Sequence, residues 1–173
     1  MNAIAYDPRR RLLLGAGGGL LLAAVLPWPA AAGDPVEIGM SGTSTGSEVW
    51  FRPRGLLIRA GQAVRWINRD AGNVHTSTAY HPANGKPLRV PKGVKPWNSD
   101  YLLPGQSYTM VFDTPGVYDY FCLPHEHAGM VGRIVVGDAP DAHPYADTDA
   151  QLPPVAVAGF PDVAAILKQG RVD

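Results

Sequence analysis

From Val36 to Val136 the sequence keeps a cadence that few folds accept: apolar stretches of five to seven residues separated by Gly, Pro, Asn or Asp, with no apolar stripe of helical period before the far C-terminus. Short apolar runs between turn residues at that spacing predict an antiparallel β-sandwich or barrel. The expected strands cover residues 36–40, 49–52, 56–59, 63–68, 75–78, 107–113, 116–121 and 132–136. Alternation is clearest in Ala63-Val64-Arg65-Trp66-Ile67-Asn68, which puts Val64, Trp66 and Asn68 on one face, with Trp66 in the core, and Arg65 and Ile67 on the other. A chain of 173 residues holds one domain of ordinary size plus appendages. Its 20 glycines and 17 prolines favour strands and turns over a helical bundle.

Outside that cadence lie three other kinds of segment. At the N-terminus Arg9-Arg10-Arg11 leads into an apolar run over residues 12–26, then Pro27-Trp28-Pro29 and Ala30-Ala31-Ala32. A charged region, an apolar region and a small-residue cleavage site in that order predict a twin-arginine-type export signal over residues 1–32, and with it a periplasmic location. The apolar run is shorter than the ~20 residues of a spanning helix and holds Gly15, Gly17, Gly18 and Gly19, so no membrane insertion of the mature chain is expected. Between Tyr80 and Leu103 the prolines 82, 87, 91 and 96 mark a long loop insertion, and loops of such length are functional or mobile. The main domain is placed at residues 33–137. Residues 138–173 are read as a linker, its Asp, Ala and Pro composition running over about 137–154, followed by a short helix between Pro161 and Gly170.

Charge excludes some functions and hints at others. Lys+Arg and Asp+Glu are both 15, which leaves no overall field for gripping nucleic acid or an anionic membrane. The signs are segregated, however: Asp70 is the single acid from Arg52 to Lys95, whereas from Asp100 onward the only bases are Arg133, Lys168 and Arg171. Such a dipolar surface orients a charged partner, although solvated strand edges and loops would give the same pattern.

The chemistry is concentrated between Tyr120 and Met130, where Cys122, His125, His127 and Met130 crowd one turn after a strand. Thiolate, imidazole and thioether in one loop, joined by the imidazole of His75, make the ligand set of a trigonal two-histidine, one-cysteine copper site with a long axial methionine. Copper that changes oxidation state needs soft sulfur for Cu(I) and imidazole acceptable to both states. Zinc prefers four strong ligands, so Met130 argues for copper. Cys122 is the single cysteine, which rules out an intramolecular disulfide and a multi-thiolate zinc site.

The loop Cys122-x2-His125-x4-Met130, the approach Tyr118-Asp119-Tyr120-Phe121-Cys122 and the segment Trp66-Ile67-Asn68 followed by His75 resemble small blue copper proteins of the cupredoxin family, in the plastocyanin/pseudoazurin group. The resemblance covers roughly residues 48–137. It implies an all-β, cupredoxin-like antiparallel Greek-key β-sandwich, with copper held by His75, Cys122, His125 and Met130. It also implies one-electron transfer between redox proteins, such as a cytochrome or a copper reductase, by a monomer without substrate chemistry. His127 is the alternative to His125, at the position of a Cys-x4-His loop as in azurin-like proteins; such a loop expects a longer gap to the methionine than Ala128-Gly129. Thr76 stands where these proteins often have an asparagine, and is expected to brace the cysteine loop through its hydroxyl and N–H. His125 is expected at one end of the sandwich among Leu123, Pro124, Ala128 and Gly129, an apolar contact patch. Lys86, Arg89, Lys92 and Lys95 are expected to border that end and select acidic partners.

Other classes fit less well. A copper carrier or buffer with no electron-transfer role would add exposed Met- or His-rich segments, and only His127 lies near the site. A multicopper enzyme needs further histidine sets, and the chain has five histidines. A thiol enzyme built on Cys122 and an imidazole would leave Met130 and Pro124 without a role. His81 and His143, beside prolines, read as solvated, and Met40 and Met110 as core or edge.

Overall fold

A computed structural model describes residues 33–138 and 144–173; the expected export signal at 1–32 and His143 lie outside them. Among the described residues, β1 (Val36–Gly42), β2 (Val49–Arg52), β4 (Gln62–Asn68) and β6 (Ser107–Phe112) form one sheet in the order β2-β1-β4-β6. A second sheet holds β3 (Gly55–Ile58), β5 (Thr78–Ala79), β7 (Gly116–Phe121), β8 (Val131–Val136) and β9 (Arg171–Val172) in the order β5-β7-β8-β3-β9. The expected β-sandwich is present, with one difference in pairing: β1 runs parallel to β4 and β3 parallel to β8. Alternation dictates which face a strand buries and is silent on the direction of its neighbour. Here the chain leaves the first sheet after β2, lays β3 in the second, and returns as β4 alongside β1.

Side-chain alternation fills the space between the sheets. β4 buries Val64, Trp66 and Asn68 and leaves Arg65 and Ile67 half-exposed. Trp66 packs at ring-centroid distances of 5.4 Å from Tyr120 and 6.2 Å from both Trp97 and Phe112. Trp97 and Val90 reach this core from the long insertion, which is therefore anchored rather than free. Opposite Tyr120, Gly132 supplies room for the phenol, since a Cβ there would lie 2.3 Å from it.

The second sheet is covered on both faces. Tyr118, Tyr120, Ile134 and Val136 point into the sandwich, while Val117, Phe121, Val131 and Val135 lie on the outer face. A helical turn (Ala146–Gln151), α1 (Pro154–Gly159) and α2 (Val163–Gln169) pack over that outer face. Leu152 and Ala156 join Tyr80, Phe121 and Val131, and Val163 and Ile166 join Val117 and Val135. The helix expected between Pro161 and Gly170 is α2, closed by Gly170 at φ 73. Its Ile166 rests on Gly55 of β3, where a Cβ would come within 2.7 Å of the Ile166 side chain. The stretch expected to be linker differs: it contains the helical turn, α1 starts at its end, and Leu152 enters the core. Pieces of six residues are too short for a helical stripe to register in sequence.

Charge is buried beneath this cover. Asp119, fully enclosed on the outer face of β7, receives Arg133 Nε at 2.7 Å and Nη2 at 2.9 Å, and Arg89 Nε at 3.0 Å. Arg89 also donates through Nη1 to Asp149 at 2.7 Å and to Thr148 Oγ1 at 3.0 Å, and Arg133 Nη1 donates to the Pro161 carbonyl at 3.0 Å. One carboxylate thus ties the insertion, the sheet and the C-terminal segment together. Replacing Asp119→Ala leaves two buried guanidiniums short of their partner and is expected to cost about 3–5 kcal/mol in urea unfolding of the metal-free protein. A loss no larger than that of a surface ion pair would show that apolar contact alone holds the segment.

Candidate metal centre

Three donor atoms converge at one end of the sandwich. Cys122 is the first residue after β7, His125 and Met130 lie in the loop that returns to β8, and His75 comes from the loop after β4, where it bridges Leu102. Cys122 Sγ lies 3.6 Å from His75 Nδ1 and 3.4 Å from His125 Nδ1, and the three donors all fall within 4.8 Å of one another. Cys122, His75 and Met130 are fully enclosed, while His125 is half-buried. The exposed His127 sits on the helical turn Glu126–Ala128 and is not in the cluster. His81 Nδ1 accepts from Ala83 N at 3.1 Å and caps a turn in the insertion, Met40 is core, and Met110 is packed at its margin.

The loop holds its own shape. Cys122 N donates to the Met130 carbonyl at 3.0 Å, His125 N to the Cys122 carbonyl at 3.0 Å and Met130 N to the His125 carbonyl at 3.1 Å. Gly129, at φ 78, makes the left-handed bend that brings Met130 back. Thr76 braces the loop as expected: its N–H points at Cys122 Sγ at 3.3 Å, and its Oγ1 accepts from Leu123 N at 2.8 Å. Glu126 is buried, with Tyr80 donating to it at 2.9 Å and Lys86 paired to it. On the other flank α1 leans on the loop, Val155 lying over Gly129 and Gly159 against its carbonyl.

Burial sets the protonation of the donors. It pushes the Cys122 thiol up to about 11, against the N–H groups of Thr76 and His125 that favour the thiolate. It also lowers both His75 and His125 below the usual imidazole range, so the two rings are neutral at pH 7. Behind His75 lies Asp70, whose Oδ2 is 3.1 Å from Nε2. Burial works to raise that carboxyl, but hydrogen bonds from Asn73, Gly72 and His75 prevail and hold it at about 2. Sequence reasoning did not assign Asp70 a role, and its signal was slight: a lone acid in a basic stretch, followed by Gly72-Asn73. A soft sulfur, two neutral imidazoles aimed by the same nitrogen and an enclosed thioether close by fit copper better than a hard cation.

Of the expected basic rim, Lys86 reaches the loop, where it pairs with buried Glu126, while Arg89 and Lys92 are placed elsewhere. Arg89 is buried in the Asp119 network, and Lys86 is neutralised by Glu126. Pro91 packs on Gly116, the end of β7 away from Cys122, which carries Lys92 the length of a strand, about 20 Å, from that end. Arg89 and Lys86 serve the interior because their aliphatic stems and charges find buried carboxylates there.

Comparison with known proteins agrees with this geometry. The family model described as copper binding proteins, plastocyanin/azurin family, matches residues 38–137. A chloroplastic plastocyanin of Tetradesmus obliquus is 43% identical over 99 residues, covering 55% of this chain and 63% of that protein, so the chain spans less than two-thirds of that relative's length. A pseudoazurin of Methylorubrum extorquens is 32% identical over 135 residues, covering 76% of this chain and 80% of that one. A solved pseudoazurin from Sinorhizobium aligns with TM-score 0.50 at 21% identity, over 78% of this chain and 98% of its own, and shows the shared sandwich. No helix among the described residues is long and apolar enough to cross a membrane.

The brace at Thr76 is directly testable. Thr76→Val keeps the N–H that faces the sulfur but removes the acceptor of Leu123 N. Stability is expected to fall by about 1–3 kcal/mol, with amide exchange at Leu123 accelerated; unchanged exchange at Leu123 would show that the hydroxyl does not hold the loop.

Proposed function

Because the chain belongs to the plastocyanin/azurin family of copper-binding proteins, a match that covers residues 38–137, we propose that it is a one-electron carrier whose single copper, held by His75, Cys122, His125 and Met130, passes between Cu(II) and Cu(I). The observation that supports this most directly is the convergence of a buried Sγ and two Nδ1 atoms on one point within a loop closed by its own hydrogen bonds. Copper supplies a centre that accepts and returns one electron. The chain does the rest: it keeps both imidazoles neutral, encloses the sulfur and fixes the donors so that little has to move when the charge changes. His125 is half-buried beside the exposed Leu123, Pro124 and Ala128, so its ring is the route by which an electron enters or leaves. Partners are redox proteins, a cytochrome or a copper reductase among them, meeting this apolar end through shape and desolvation, since Arg89 is buried and Lys86 is paired with Glu126. The arginine triplet, apolar run and small-residue tract over residues 1–32 support export to the periplasm.

Added Cu(II) is expected to give an intense visible band that a mild reductant bleaches and that Cys122→Ser abolishes. A pale adduct surviving that substitution would place the ion on surface imidazoles and favour a copper carrier or buffer instead. Proton balance gives a second check. With the thiol at about 11 and both imidazoles depressed and neutral, the metal-free site at pH 7 holds one proton that a metal must displace, on sulfur. Copper binding is therefore expected to release one proton and to tighten about tenfold per pH unit around neutrality, measurable by calorimetry in buffers of different ionisation enthalpy. Binding without proton release would exclude Cys122 as a ligand.

A further inference from the structure

Behind the donor cluster, on the side away from Cys122, His75 meets a carboxylate that the electron-carrier reading does not use. Asp70 Oδ2 lies 3.1 Å from His75 Nε2, and both side chains are buried. The carboxylate is itself caged: Oδ1 accepts from Gly72 N at 2.9 Å and Asn73 N at 3.2 Å, and Oδ2 accepts from Asn73 Nδ2 at 2.9 Å as well as facing His75. Asp70 N in turn donates to Asn68 Oδ1 at 2.9 Å, and Asn68 Nδ2 is spent on the Asn73 and Leu102 carbonyls. Gly72 N, Asn73 N and Asn73 Nδ2 all donate to it, so, His75 apart, these bonds leave the group no place for a proton of its own. Independently of these bonds, Gly42 at the end of β1 is cut away for it, since a Cβ there would stand 2.3 Å from Oδ2.

A carboxylate that accepts from Nε2 requires the hydrogen of neutral His75 to be on Nε2. The lone pair is then on Nδ1, the nitrogen that faces Cys122 Sγ at 3.6 Å. A negative charge on the far side of the ring also raises the basicity of the near nitrogen, which favours the more highly charged metal state. From this geometry we infer that Asp70 is a positioning residue for the copper site: it fixes the tautomer and plane of His75 and biases the centre toward Cu(II), lowering its reduction potential. This rests on His75 being a copper ligand.

Asp70→Asn and Gly42→Ala perturb the contact in different ways, the first by removing the charge and the second by displacing the carboxylate. The whole chain is used in each case. Both variants are expected to keep the visible copper band and to show a raised potential. Cu(II) affinity is expected to fall about 10–100-fold, and each tenfold of change that Cu(I) does not share raises the potential by about 59 mV. In the metal-free protein, nitrogen NMR of His75 is expected to show the Nε2–H tautomer alone in the parent chain and a mixture of tautomers in Asp70→Asn. Folded variants with unchanged potentials, or a His75 that keeps the Nε2–H tautomer alone without the carboxylate, would overturn the inference. A parent chain that gives no visible band would overturn the copper-site reading itself, and the tautomer measurement separates that failure from this one.

Discussion

β7 and β8 are paired in register from Gly116–Val136 to Phe121–Val131, and neither face of the pair meets solvent along most of its length. One face is pressed on Trp66 and Phe51 through Tyr120; the other is sealed by Leu152, Ala156, Val163 and Ile166. The metal loop is the connection between these two strands, so its ends are pinned by both layers. A side chain at the mouth of such a hairpin inherits the rigidity of everything packed on it, which is how a loop of eight intervening residues between Cys122 and Val131 holds His125 Nδ1 3.4 Å from the Cys122 sulfur and leaves His75 to close the cluster from another loop.

The strands and the ligand cluster were legible for different reasons. Residues 63–68 alternate because one face of β4 is buried and the other half-exposed, and that asymmetry is written directly in Val64, Trp66 and Asn68. Cys122, His125 and Met130 are close in sequence, so their chemistry survives without knowledge of the fold. Thr76 was traced by its position after His75. The cover of the second sheet was harder to see, although Val131-Gly132-Arg133-Ile134-Val135-Val136 is a run buried throughout, the pattern of a strand enclosed on both sides. What hid it was Asp119 and Arg133: charges in β7 and β8 look like solvent contacts until Arg89 and the C-terminal segment are in place around them. Asp70 was hidden likewise, because its partner is five residues away across a turn and its space is made by a glycine from another strand.

The two histidines of the cluster sit in unequal surroundings. His75 is enclosed, its second nitrogen committed to a fixed carboxylate, whereas His125 is half-buried beside exposed Leu123 and Pro124. This division separates two demands on one site. With copper held as proposed, the enclosed ring would set the electronic environment where solvent cannot disturb it, and the accessible ring would provide contact with the outside without that contact having to reach into the core.

The outermost strands of the second sheet, β5 and β9, are two residues each. Thr78 is further occupied by a bridge to Asn98 from the long insertion. An unpaired strand edge is a template on which another chain can add, and aggregation begins there. Here the sheet that bears the metal loop tapers to stubs on both sides, leaving hardly any ladder for a stranger to extend. A carrier of the kind proposed above would need to touch many surfaces and adhere to none, and the shortness of these margins suits that need.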